Sequence, residues 1–143
     1  MQAHLVVAHR TLVGDHLLDH ARGLIAATGP CRFHLVVPVT IPRDHAWSDG
    51  EVTAAAEARL AEGVEAFTAA GATVTGEVGD ANPVYAVAAA LRAQPDADWR
   101  SIIVSTLPPG VSRWLGLDAV SRIRREYDLP VTHLVAADTP ADA

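Results

Sequence analysis

The chain of 143 residues contains no lysine, so its fixed positive charge is carried by 11 arginines. That excludes a phosphate-binding loop built on a lysine and any lysine Schiff base. It contains one cysteine, Cys31, which rules out an internal disulfide and fits a reducing compartment. Cys31 stands between Pro30 and Arg32, where the sequence suggests a turn and an inert small side chain rather than a nucleophile. There is no excess of positive charge: the formal net charge is −6. Phosphate contacts need clustered cations, so general nucleic-acid binding is not expected. No apolar run approaches the length of a membrane span, and Met1-Gln2-Ala3-His4 runs into a strand without the layout of a signal peptide. A cytoplasmic protein with no membrane association is therefore expected.

What is present is a globular composition, 50% hydrophobic and 20% charged, in a chain of the size usual for one domain. Leu5-Val6-Val7-Ala8 reads as a short apolar strand. A helix follows from about Gly14 to Thr28, with Leu17, Leu18, Ala21, Leu24, Ile25 and Thr28 on one face. Gly29-Pro30 stops it, and residues 33–39 form a second strand. After a loop, Ser48 and Glu51 have capping-box spacing at the start of the longest helix, about 51–70. Residues 72–78 alternate as an exposed strand near an edge would. Asn82 followed by Pro83 is an N-cap with proline at the first helical position, and that helix runs to about Gln94. Asp118 is placed to cap a further helix through Tyr127, and Val131 to Ala136 is the last strand. Five strands joined by four helical crossovers imply a doubly wound parallel sheet with helices on both faces. No repeat, linker or domain boundary is visible, so residues 1–143 read as one domain.

The centre of this arrangement is Ser101-Ile102-Ile103-Val104-Ser105-Thr106, an apolar run ending in two hydroxyls, followed by Leu107-Pro108-Pro109-Gly110-Val111-Ser112. A short apolar run is what a strand covered on both faces requires. Ligands of open α/β sheets sit beyond the carboxyl ends of such strands. The candidate ligand-binding residues therefore lie at those ends: His9, Arg10 and Thr11 after the first strand, Val37 and Pro38 in the second, Gly79 and Asn82 after the third, and Ser105, Thr106, Gly110, Ser112 and Arg113 after the fourth.

Each candidate has a plainer alternative. Arg10 and Arg113, with helix N-termini at Ser112 and Asn82, could hold an anion, or they could be solvated or paired with Asp80 or Asp118. His9 could serve as a base for Ser105 or Ser112, but no nucleophile elbow and no acidic partner is evident. His16 and His20 have the i, i+4 spacing of two metal ligands, yet no third or fourth ligand is at hand, and a solvated helix face accounts for them better. Trp47 could stack on a planar ligand or pack over the core edge.

The order of elements, the turn Gly79-Asp80-Ala81-Asn82-Pro83, the ending Leu129-Pro130-Val131 and the stretch Ile102 to Leu115 together resemble the universal stress protein family, in a divergent, actinobacterial-type form. The resemblance covers nearly the whole chain. It implies sheet order 3-2-1-4-5, frequent dimerisation through the last strand, and in many members ATP or AMP at the switch point. ATP-binding members carry Gly-x2-Gly-x9-Gly-Ser/Thr after the fourth strand. Those four positions fall near Ser105, Pro108, Asp118 and Ala119, and none matches. Pro108 has no amide donor, and Asp118 brings negative charge to a phosphate position. The family's adenine-side aspartate falls near Arg10. The expectation is a universal stress protein-like regulatory or stress-response domain, without catalysis and not a typical ATP binder. It would be homodimeric through Val131–Ala136 and act on a protein partner or small ligand. The alternative is a remodelled site for ATP, AMP or another anion.

Overall fold

The computed structural model describes residues 1–8, 11–41, 45–106 and 117–135. The elements are β1 (Gln2–Val7), α1 (Asp15–Thr28), β2 (Cys31–Pro38), α2 (Asp49–Ala69), β3 (Thr73–Gly79), α3 (Pro83–Ala93), β4 (Asp98–Thr106), α4 (Leu117–Glu126) and β5 (Val131–Val135). The five strands form one sheet in the order β3-β2-β1-β4-β5, and every pairing is parallel. This is the expected doubly wound α/β architecture.

Two apolar clusters sandwich the sheet. Alternation along β1 sends Val6 and Ala8 to the side of α1 and α2, and Leu5 and Val7 to the side of α3 and α4. Leu5–Val7 of β1, Leu35–Val37 of β2 and Ile102–Val104 of β4 are continuous apolar runs because both faces are covered there. β3 has no fully buried residue, in keeping with the more exposed strand that its alternation suggested. It is tied to its neighbour by polar side chains. His34, buried on β2, reaches Thr75 Oγ1 and Glu77 Oε2 on β3, each at 2.7 Å. Arg32 donates to Thr75 Oγ1 and to Gln94 Oε1, both at 2.8 Å, which links β3 to the end of α3.

Caps set the helix starts. Ser48 Oγ accepts from the Glu51 amide at 3.2 Å, and Asn82 Oδ1 accepts from the Val84 amide at 3.0 Å. Gly79 brings α3 onto the sheet, since a Cβ there would lie 2.9 Å from both Ala86 Cβ and Val36 Cγ1. Several boundaries differ from the sequence reading. Cys31 is not in a turn: it is the first residue of β2, buried, and pairs in register with Gln2. Burial pushes its thiol up, which keeps it neutral and inert. Asp118 lies inside α4, which already includes Leu117, rather than ahead of it. Thr28 is exposed, its hydroxyl donating to the Leu24 carbonyl at 2.7 Å. Gly79 belongs to β3 rather than to the turn after it.

Candidate functional site

The strand ends of β1 and β4 bring three polar side chains together. Ser105 Oγ lies 2.7 Å from Thr11 Oγ1 and 2.9 Å from His16 Nε2. Ser105 is 0% exposed and Thr11 only 5%. The sheet positions Ser105 on the α1 side of β4, and α1 supplies His16 from its first turn. Gly14 makes room for the imidazole: a Cβ there would sit 2.6 Å from His16 Cε1. Burial holds the His16 imidazole below its ordinary value of 6.5, against a smaller upward pull from Asp15. A neutral ring protonated at Nδ1 accepts the Ser105 hydroxyl proton, and Ser105 then accepts from Thr11. The three groups satisfy one another.

The opposite face of β4 repeats the device. Thr106 Oγ1 lies 2.9 Å from His133 Nε2 of β5. Burial lowers the His133 pKa, with a further contribution from Arg124.

Of the residues singled out in the sequence, Thr11 and Ser105 are brought together, while Thr106 stands on the opposite face of β4 with His133. Val37 is fully buried in the cluster beneath α1 and α2, and Pro38 is buried beside it at the end of β2. Gly79 ends β3 and Asn82 caps α3 after the turn, where Asp80 Oδ1 accepts the Asn82 amide at 2.8 Å. That carboxylate is thus engaged by backbone. His9, Arg10, Gly110, Ser112 and Arg113 lie outside the described residues, as does the Pro-Pro-Gly turn. Trp47 is 41% exposed.

His16 is the residue that the sequence reading missed. It was assigned to a solvated helix face, whereas it is half-buried and bound to Ser105. The available signal was its place in the first turn of α1, which faces the carboxyl ends of the strands. His133 was missed too, being read only as part of an edge. Among the described residues, no group of three His, Cys, Asp or Glu side chains could hold a metal ion.

A serine within hydrogen-bond reach of an imidazole is the geometry of a nucleophile and its base. Here Ser105 has no exposed surface, and among the described residues no carboxylate bonds to the other nitrogen of His16. The arrangement is a closed polar knot at the switch point.

No family model matches the sequence, and no curated protein matches it. Solved structures do match its fold. A universal stress protein from Archaeoglobus fulgidus superposes with a TM-score of 0.62 at 13% identity, covering 93% of this chain and 97% of that one. A universal stress protein in complex with cAMP gives 0.59 at 16% identity, over 95% and 98% of the two chains. The chain has the universal stress protein fold. A third structure, from that family in Burkholderia pseudomallei, gives 0.56 at 18% identity over 92% and 94%. The fold extends over nearly the whole chain.

Proposed function

We propose that the chain is a universal stress protein that works as a stress-linked regulatory domain without catalysis, and that it does not take ATP in the manner of the family's ATP binders. The observation that carries this reading is the buried Ser105 knot. Ser105 stands where the resemblance places the first motif glycine, whose role is to let backbone approach phosphate. In this chain that position carries a side chain bonded to Thr11 and His16. Pro108 and Asp118 at two later motif positions point the same way, one by its missing donor and the other by its charge. The domain spans residues 1–143 and acts in the cytoplasm. Among the described residues, no helix is long and apolar enough to cross a membrane.

A second reading has a specific observation behind it: one structure of the same fold is a complex with cAMP. Under that reading Arg10, Arg113, Gly110 and Ser112 would hold an anionic ligand in a remodelled site. Isothermal titration with Mg-ATP, AMP and cAMP separates the two. At about 1 mM ligand, where even a weak site is half filled, the first reading expects no saturable heat from any of the three. Saturable binding that is lost in Arg10→Ala or Arg113→Ala would establish the second.

A further inference from the structure

The face of the sheet beneath α1 carries more imidazole than its packing requires. His4, on β1, is buried, stacks on Phe33 with ring centroids 5.4 Å apart, and has Nδ1 2.6 Å from Ser101 Oγ. Its other nitrogen, Nε2, is buried with no hydrogen-bond partner among the described residues. One turn of α1 beyond His16 lies half-buried His20, whose positive charge would hold the His4 pKa down. Two imidazoles from α1 and one from β1 therefore occupy the helix–sheet interface, two of them paired to hydroxyls of a single strand.

We propose that α1 is an acid-released cover: protonation of His4 and His20 sets like charges across the α1–sheet interface and lifts the helix, and His16 with it, from Ser105. This rests on the reading that the switch point is closed at neutral pH, and it adds the condition under which it opens.

Neutral His4 can leave Nε2 unpaired, but His4 charged at both nitrogens buries a cation donor that no described residue receives. The charged groups nearby do not compensate. Arg100 of β4 adds positive charge to His4 and is itself paired with Asp98 at 3.0 Å. Asp19 is engaged by Arg22 at 3.0 Å, both exposed. Asp15 favours charge on His16 but does not offset its burial. From β2 the neighbour of His4 is the Phe33 ring.

The helix buries Leu17, Leu18 and Ala21, packs Leu24 and Ile25 partly buried against the same cluster, and has at its N-cap Gly14, which supplies no side-chain bond. Burial lowers the pKa of His4, His16 and His20 from 6.5. The sign follows. A released helix binds more protons than a docked one once the pH drops below about 6.5, so docking is complete above that value and weakens as the pH falls.

Hydrogen exchange of the whole protein at about pH 7.5 and about pH 5, corrected for intrinsic rates, reads this directly. Protection of α1 is expected to fall relative to the centre of α2, and His20→Gln is expected to suppress that fall. His4→Gln is the second variant and should act the same way; if it does not fold, His20→Gln decides alone. Equal loss of protection in α1 and α2, or an undiminished fall in His20→Gln, would overturn the proposal. Exchange is read without nucleotide, so the outcome is independent of the titrations above.

Discussion

Removing the Ser105 hydroxyl strips two neighbours of a partner at once. Thr11 is buried and His16 half-buried, and neither has another bond in the knot. An unsatisfied buried polar group costs about 1–3 kcal/mol, more than the hydroxyl's own desolvation returns. Ser105→Ala is therefore expected to lower stability by about 1–3 kcal/mol, seen as a lower urea midpoint at unchanged slope. A change below about 0.5 kcal/mol would mean that the knot holds nothing together. At this scale the sequence was informative about chain-adjacent chemistry and blind to the rest. Thr11, Ser105 and Thr106 could be placed because strand ends are readable from apolar runs. The partner of Ser105 could not, because it depends on which way the first turn of α1 faces after the helix docks. His9, nearer the strand end, was the natural candidate for a role that the structure gives to His16.

The helices show how close approach decides the sign of a glycine substitution. Gly63 in α2 is buried, and a Cβ there would come within 2.3 Å of Leu12 Cδ2 and 2.6 Å of Leu12 Cγ. Leu12 is fully buried and cannot move aside freely. Alanine in a helix interior gains about 0.5–1 kcal/mol over glycine, but overpacking a core costs about 1–3 kcal/mol. Gly63→Ala is expected to destabilise. Gly23 in α1 is exposed, and a Cβ there would meet nothing within 4 Å. Gly23→Ala is expected to stabilise by about 0.5–1 kcal/mol. Thermal melts of the two variants check the pair, and a shift in the same direction for both would contradict the packing. Element identity was legible here because caps and periodicity agree: Ser48, Asn82-Pro83 and Gly29 all act as their residue types suggest. Boundaries were less so. Cys31 and Arg32 follow Gly29-Pro30 and look like turn residues, but pairing with β1 extends β2 over them. The interstrand bonds of His34 to Thr75 and Glu77 lie 41 and 43 residues apart in the chain, and no local pattern announces them.

At the scale of the molecule, sheet order followed from alternating elements together with the family resemblance, and the fold matches. The edges differ in a way that bears on assembly. β3 carries Glu77 and Gly76, whereas β5 (Val131–Val135) has neither proline nor a charged carboxylate or arginine within it. An unblocked edge invites pairing with a second copy, and a strand paired with its own copy closes a symmetric dimer. The proposed assembly is that homodimer. The switch point stays occupied by its own side chains in each protomer. Native mass spectrometry of protein purified without added nucleotide, then with Mg-ATP and with cAMP, reads assembly and bound mass together. The account predicts a dimer at the mass of two bare chains in all three conditions. A species heavier by one nucleotide per chain would contradict the closed switch point, on which the functional reading depends.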